Sequence, residues 1–333
     1  MPGIDWTPRQ LGADGPRVSA LTLGTSAWRD AISAGRDPRA ALERVLSGST
    51  APRLTTIDTS NNYGDGVSES IIGEAILGRA PGDAIVATKL DRDPETGTFS
   101  GERMKRSLEE SLERLGVDHV SLLHLHDPNE LSYEEAFAPG GPVEAIVGMR
   151  RDGTADRIGI SGAWAPMLVQ YAATGLFDAV VTHNRFTLVD RSAERLLQVC
   201  ADRSIAVFNA APYGSAPLAK WPTPADQYAY VPAHPALRAA VAAMGRIADD
   251  VGIPLGAAAL QFSLRDPRVA STIVGINTVD QLEQTLEWAT LPIPEDLWPA
   301  LEQLVPPAST WQEAPGPSRW DDLPSDIWGY LTA

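Results

Sequence analysis

Eight short apolar runs, each followed by sequence with helical periodicity, recur along the chain and constrain its fold more than any other feature. This alternation predicts parallel strands, because a parallel connection needs a long crossover that is usually a helix. The runs predicted as strands lie at 20–23, 54–57, 84–88, 120–125, 157–160, 178–182, 205–208 and 271–274. Eight such units favour closure into a (β/α)8 TIM barrel.

An open, doubly wound sheet is the alternative fold for the same alternation. The sequence argues against it, because no glycine-rich dinucleotide fingerprint follows the first strand. Residues 10–18 predict a short N-terminal β-hairpin with its turn at 13–16. The Pro- and Trp-rich tail after Pro292 is expected to fold over one barrel end, and residues 1–333 are expected to form a single domain.

Three predicted helices carry recognisable capping signals. Ser100 is a predicted N-cap of a helix that ends at Gly116, where a C′ glycine is expected. Asp190 is expected to cap a helix that runs to about residue 202. Thr278 and Gln281 have the spacing of a capping box.

Composition excludes several classes of function. The formal net charge of −16 argues against a nucleic-acid surface. A single cysteine, Cys200, permits no internal disulfide and suits a reducing compartment. We find no secretory signal and no apolar run long enough to span a bilayer, so a cytoplasmic location without membrane attachment is expected. The oligomeric state is not indicated.

Ionisable residues end three neighbouring predicted strands, and an aromatic hydroxyl lies in the adjoining loop. Asp58, Lys89 and His126 are at the strand ends, and Tyr63 follows Asp58. Parallel strands in a barrel place these ends on one rim, where active sites lie. Singly, a charged residue at a strand end is more often a cap or a surface charge. His124 shares the strand face of His126, so alternation alone does not choose between them.

The four side chains together suit proton transfer coupled to transfer of a hydride. A tyrosine ordinarily ionises near pH ~10, and the Lys89 ammonium is expected to lower the pKa of Tyr63. Asp58 would orient that ammonium, and Tyr63 would exchange a proton with a substrate oxygen held by His126. The rim offers no evident nucleophile and no metal-ligand cluster.

The order Asp58, Tyr63, Lys89, His126 resembles the aldo-keto reductase superfamily, as do the segments 58–64, 111–118 and 261–269. The resemblance implies that Tyr63 is the acid/base, that Lys89 and Asp58 tune it, and that His126, rather than His124, binds the carbonyl. Residues 126–128 and 211–218 resemble in particular the branch of L-fucose/L-galactose and pyridoxal dehydrogenases.

The resemblance also implies a nicotinamide cofactor, NAD or NADP, that lies across the barrel top without a Rossmann domain. The positions that match the family's cofactor contacts are Gly24, Thr25, Ser26, Asp58, Ser161, His183, Ser215, Leu218, Gly275, Ile276, Asn277 and Gln281. The chain departs from the family's usual residues at Gly162, His183, Ala210 and Gln281. Because Gln281 replaces the basic residue that usually binds the 2′-phosphate of NADP, we expect NAD to be used at least as well as NADP.

Aromatic residues in the rim loops suggest the substrate class. Trp28, Trp164 and Trp221 lie in these loops by strand counting, and with Tyr63 and His126 they are the expected substrate contacts. Aromatic faces pack well against sugars and flat rings, although tryptophans also fill loop cores.

These observations favour NAD(P)-dependent oxidation of an aldose or a related alcohol. NADPH-dependent reduction of aldehydes and ketones is the alternative. A barrel that binds the cofactor without catalysis is the alternative from another class.

Overall fold

Eight parallel strands close into a barrel in the computed structural model, which describes residues 4–12, 14–77, 79, 84–223 and 225–313. The barrel strands are β3 (Leu21–Gly24), β4 (Thr56–Asp58), β5 (Ile85–Leu90), β6 (Val120–His126), β7 (Ala155–Gly162), β8 (Ala179–His183), β9 (Ala206–Ala210) and β12 (Val269–Gly275). They pair in chain order, and β12 closes the ring between β9 and β3. The predicted (β/α)8 TIM barrel is confirmed.

Helices cover the outside of the barrel. They are α1 (Trp28–Ser33), α2 (Arg39–Leu46), α3 (Val67–Ile76), α4 (Gly101–Leu115), α5 (Tyr133–Phe137), α6 (Pro142–Arg151), α7 (Ala165–Ala173), α8 (Glu194–Asp202), α9 (Pro235–Asp250), α10 (Leu255–Leu264), α11 (Val279–Thr290) and α12 (Leu297–Glu302). The apolar faces of most of them pack against the outward side chains of the strands in one large hydrophobic cluster. Those of α9 and α12 pack in another cluster with part of α10.

A separate hydrophobic cluster fills the inside of the barrel, and the N-terminal hairpin reaches it. Strands β1 (Arg9–Gln10) and β2 (Arg17–Val18) pair antiparallel, which confirms the predicted hairpin, although position 13 of its turn lies outside the described residues. Leu11 and Val18 are fully buried against interior side chains such as Leu122. The interior is therefore a packed core.

The capping predictions have mixed outcomes. Ser100 accepts a hydrogen bond from the N–H of Arg103, and Gly116 has the left-handed φ of 68° expected of a C′ glycine. The prediction for Asp190 is wrong, because α8 begins at Glu194. The Asp190 carboxylate instead accepts hydrogen bonds from the backbone N–H groups of Ser192 and Gln312.

Only half of the predicted capping box at α11 forms. Thr278 accepts from the N–H of Gln281 at 3.2 Å, as expected. The Gln281 side chain, however, accepts from the N–H of Asn277 at 2.7 Å, one residue before the N-cap. Gln281 therefore ties the loop after β12 to the helix.

The chain beyond α12 crosses the loops that follow β7 and β8, as expected for a tail over a barrel end. Glu313 accepts from the N–H of Ala165, the first residue of α7, at 2.8 Å and pairs with Arg185 at 3.1 Å. Residues 314–333 of the predicted tail lie outside the described residues. Among the helices that the structure describes, none has the length and apolar character needed to cross a bilayer.

The loop after β9 contains a second small hairpin that the sequence did not predict. Its strands are β10 (Gln227–Tyr228) and β11 (Val231–Pro232), and they pair antiparallel. Tyr228 is fully buried, and its hydroxyl donates to the carbonyl oxygen of Asn184 at 2.8 Å. The hairpin is thereby anchored beside the carboxyl end of β8.

Candidate active site

Lys89 joins two other predicted site residues, Asp58 and Tyr63, into one hydrogen-bonded cluster. Its side chain, at the end of β5, is 1% exposed. The ammonium donates to Asp58 Oδ2 at 2.9 Å, to the Thr59 carbonyl oxygen at 2.7 Å and to the Tyr63 hydroxyl at 3.1 Å. All three ammonium hydrogens are thus used. Tyr63 accepts one of them, so its own hydroxyl hydrogen remains available for another acceptor.

Burial determines the protonation state of Tyr63. It raises the pKa of the phenol well above its ordinary value, and the Lys89 ammonium only partly opposes that effect. The expectation of a lowered pKa is therefore wrong for the net shift, although Lys89 acts in the expected direction. Burial lowers the pKa of Lys89, but Asp58 and Tyr63 outweigh it and raise the pKa overall. At neutral pH the cluster holds a neutral phenol beside an ammonium.

His126 lies beside this cluster, and its ring meets the Tyr63 ring edge-on with 5.8 Å between centroids. Its Nδ1 is 2.7 Å from Oδ1 of Asp91, a buried carboxylate that the sequence analysis did not single out. Asp91 lies two residues beyond Lys89, so strand alternation could have placed both on one side of the strand.

His124 and His126 lie in different surroundings. His124 is fully buried in the barrel, and both of its ring nitrogens lack a hydrogen-bond partner among the described residues. Its ring packs edge-on against Phe208, and burial lowers its pKa far below the ordinary value. A neutral imidazole at this position fills the core, whereas His126 faces the cavity described next.

A cavity of about 670 Å³ opens at the carboxyl ends of the strands. Its volume is in the range of small-molecule sites. The predicted site residues that line it are Gly24, Ser26, Asp58, Tyr63, Lys89, His126, Ser161, His183, Ser215, Gly275, Asn277 and Gln281. The structure therefore brings the residues predicted from the strand ends and those implied by the family resemblance around one cavity.

Three predicted cofactor contacts are instead buried beneath the lining. The Thr25 hydroxyl donates to the carbonyl oxygen of Asp58 at 3.0 Å. Leu218 and Ile276 pack in two hydrophobic clusters and are 0% and 1% exposed. Their side chains support the loops that carry the lining residues.

The three tryptophans expected at the substrate wall do not line this cavity. Trp28 is fully buried, and its Nε1 donates to the Ile276 carbonyl oxygen at 2.8 Å. Trp221 donates to Asp249 Oδ2 at 2.8 Å and lies over Gly245, and Trp164 is 39% exposed just before α7. Their placement corrects that expectation.

Other residues that the sequence analysis did not assign to the site do line the cavity. They include Asp127, Tyr213, Lys220 and Tyr230, together with Gln284, Thr285 and Trp288 of α11. Lys220 and Tyr230 belong to the long loop after β9, whose path depends on the unpredicted hairpin.

The part of the cavity beside α11 fits a nicotinamide dinucleotide. A Cβ added at Gly275 would meet no atom within 4 Å, so the wall is open there. Asn277 Oδ1 is buried and lacks a hydrogen-bond partner among the described residues, which leaves an acceptor for a ribose hydroxyl or an amine. The N-terminus of α11 offers N–H groups and a positive dipole end to an anionic group.

A family model described as the aldo/keto reductase family matches residues 20–306. The chain is 29% identical to L-galactose dehydrogenase of Arabidopsis thaliana, over 91% of this chain and 96% of that protein. It is 28% identical to D-threo-aldose 1-dehydrogenase of a Pseudomonas species, over 90% and 98%. It is 24% identical to pyridoxal 4-dehydrogenase of Microbacterium luteolum, over 88% and 96%.

A solved aldo-keto reductase from Bacillus halodurans, in its holo form, superposes with a TM-score of 0.72 at 22% identity. The match covers 90% of this chain and 97% of that one, so the two chains share one fold over most of their length. Since the family model spans most of the sequence, this chain belongs to the aldo/keto reductase family and is an NAD(P)-dependent oxidoreductase.

Proposed function

We propose that the enzyme oxidises an aldose or a related alcohol, with Tyr63 as the acid/base and the whole chain as one catalytic domain. The observation that carries the proposal is the hydrogen-bonded cluster of Asp58, Lys89 and Tyr63 beside His126, at one end of a cavity that fits the cofactor. The nicotinamide, when bound, accepts or donates a hydride.

In the oxidation direction, Tyr63 takes the proton of the substrate hydroxyl. Because burial keeps the phenol neutral, Tyr63 must first release its own proton to solvent, and the Lys89 ammonium at 3.1 Å stabilises the phenolate. His126 hydrogen-bonds the same substrate oxygen and orients it. Oxidation is therefore expected to accelerate as the pH rises above neutrality.

The lining also supports a polyhydroxylated substrate. The Asp127 carboxylate faces the cavity, and its Oδ2 lies 3.7 Å from His126 Nε2. Its Oδ1 is buried and lacks a hydrogen-bond partner among the described residues. A carboxylate only accepts hydrogen bonds, and sugar hydroxyls donate them. The relatives named for L-galactose and D-threo-aldose point to the same class of substrate.

NAD is expected to serve at least as well as NADP. The residues of α11 that line the cavity are Gln281, Gln284, Thr285 and Trp288, and all four are uncharged. A 2′-phosphate beside this helix would meet no cation from it, whereas NAD needs none there.

The neutral phenol favours one competing function, the NADPH-dependent reduction of aldehydes and ketones. In that direction Tyr63 donates the proton that it already holds, so no prior deprotonation is needed.

Steady-state rates in both directions decide between these functions. We expect the highest kcat/KM for an aldose with NAD, among a panel of aldoses, polyols, pyridoxal and simple aldehydes tested with both cofactors. Efficient reduction of simple aldehydes by NADPH, without sugar oxidation, would favour the reductase. Cofactor binding without turnover of any panel member would contradict both.

A further inference from the structure

Asp91 is a buried carboxylate whose role the proposed function leaves open. It follows β5 directly and is 6% exposed. Its Oδ1 lies 2.7 Å from His126 Nδ1. Its Oδ2 accepts from the Ser60 hydroxyl and, at 3.0 Å, from the backbone N–H of Asn62. The carboxylate thus connects the loop that carries Tyr63 to the end of β6.

Helix α4 holds Asp91 from the opposite side. The Asp91 N–H donates to Ser107 Oγ at 3.0 Å, and Arg103 Nε donates to the Asp91 carbonyl oxygen at 3.1 Å. Arg103 and Ser107 are both buried, and Arg103 is itself paired with Glu110. The backbone of Asp91 is therefore held independently of His126.

The hydrogen bonds of Asp91 determine which imidazole nitrogen carries a proton. Ser60 has a single hydroxyl hydrogen, which it donates to Asp91 Oδ2. Ser60 Oγ, 3.1 Å from His126 Nδ1, therefore has no hydrogen to give the ring. Nδ1 must carry the hydrogen and donate it to Asp91 Oδ1, which leaves Nε2 for the cavity.

We propose that Asp91 is a positioning residue for the reaction: it fixes the Nδ1–H form of His126 and favours the imidazolium, whose Nε2–H donates to the reacting oxygen of the substrate. This inference rests on the proposed function. It assigns Asp91 an action through His126, without contact with the substrate.

The charges around His126 are consistent with this role. The titratable groups that face its ring are Tyr63, Lys89, Asp91, His124, Asp127 and His183. Burial, the largest single cause, lowers the pKa of His126, and Lys89 lowers it further. Asp91 and Asp127 together outweigh them, so the net shift of the pKa is upward. His126 therefore stays protonated to a higher pH than a free histidine does.

Asp91→Asn tests the inference by kinetics. It keeps the shape of the side chain and removes the charge. We expect kcat near neutral pH to fall on the order of 100-fold, the lower range for a group that assists proton transfer, with little change in KM. The limb of the pH–rate profile that reports His126 should move to lower pH. Asp93→Asn is the matched control, because among the described residues its carboxylate accepts from the backbone N–H groups of Glu95 and Thr96 within its own loop.

A double-mutant cycle separates positioning from a purely structural role. If Asp91 acts through His126, adding Asp91→Asn to His126→Gln should cause almost no further loss of kcat. Multiplicative losses in the double variant would overturn the inference, as would wild-type kcat and pH profile in Asp91→Asn alone.

NMR of ¹⁵N-histidine-labelled, cofactor-free protein gives a readout that needs no substrate. The ring signals of His126 are assigned by their absence from the spectrum of His126→Gln. The ring should be protonated at Nδ1 in the wild type and titrate at lower pH in Asp91→Asn. An unchanged titration and tautomer would contradict the inference even if the enzyme is active. If the enzyme shows no turnover but His126 still titrates at lower pH in Asp91→Asn, the proposed function is contradicted and the pairing of Asp91 with His126 stands.

Discussion

At the residue scale, two opposing effects act on the pKa of Tyr63. Burial favours the neutral phenol, and the ammonium of Lys89 favours the phenolate. The hydroxyl lies 3.1 Å from that ammonium, and in the proposed function it exchanges a proton with the substrate.

Tyr63→Phe should abolish turnover while leaving cofactor affinity nearly intact. The ring keeps its packing against His126, and only the hydroxyl is lost. We expect kcat to fall by at least about 100-fold, because a positioned acid/base contributes that much or more. Steady-state kinetics and a fluorescence titration with NAD measure the two effects. A variant that turns over at the wild-type rate would exclude Tyr63 as the acid/base.

Gln281→Arg should improve the affinity for NADP more than that for NAD. A guanidinium beside the 2′-phosphate would add a charge-assisted hydrogen bond of about 1.5 kcal/mol, or roughly tenfold in Kd. The variant loses the hydrogen bond from Asn277, which reduces the gain for both cofactors. Gln284→Arg adds the same charge three residues along α11 and is the control. Equal gains for NAD and NADP would indicate general attraction, without recognition of the phosphate.

At the scale of elements, local signals predicted well where the partners are close in sequence. The sequence pattern predicts helices near 142–151 and 235–250. Helices α6 and α9 have these bounds. Ser100 caps α4 because its partner is three residues away. Asp190 does not cap α8, which begins at Glu194, and its carboxylate instead accepts from Ser192 and from Gln312, which is distant in the chain. Long-range partners of this kind leave no local pattern.

Strand β7 shows how closely the barrel interior is packed at one element. Gly159 pairs with His124 across β6 and β7. A Cβ at Gly159 would lie 2.3 Å from His124 Nδ1 and 2.9 Å from the backbone oxygen of Ala179. A glycine is therefore required here by space, and its φ is not in the left-handed region.

Gly159→Ala should lower the free energy of unfolding by about 1–3 kcal/mol, the usual cost of overpacking. Gly148→Ala is the control, since a Cβ there meets nothing within 4 Å on α6. That control should stabilise by about 0.5–1 kcal/mol, because alanine suits a helix better than glycine. Urea unfolding measures both changes. Equal stability of the two variants would show that the interior around His124 is loosely packed.

For the whole molecule, topology explains what the sequence could predict about the site. In a closed parallel barrel the strand ends must meet at one rim, so Asp58, Lys89 and His126 lie together regardless of the loop conformations. The tryptophans depended on how each loop packs, and Trp28 turned inward to Ile276. Asp91 was missed because its importance comes from a hydrogen bond to another strand.

Folding also fixes two histidines in the neutral form, which links stability to pH. Burial lowers the pKa of His183 from 6.5 to about 4, with Asp127 opposing and Arg185 assisting. Burial lowers the pKa of His124 in the same direction. Below pH ~6.5 the unfolded chain binds protons at these positions that the folded chain does not bind. Both histidines therefore reduce stability as the pH falls through this range.

His183→Gln, in the cofactor-free protein, should become more stable relative to the wild type as the pH falls from about 6.5 to 4. The folded pKa lies below the unfolded one, so the loss in the wild type begins near pH 6.5 and stops growing near pH 4. At ~1.4 kcal/mol per pH unit, the relative gain is at most about 3 kcal/mol, because the ring is partly exposed to the cavity. Urea unfolding at several pH values measures it, with His119→Gln as the same replacement at an exposed site. A constant difference between His183→Gln and the wild type would mean that folding leaves the protonation of His183 unchanged.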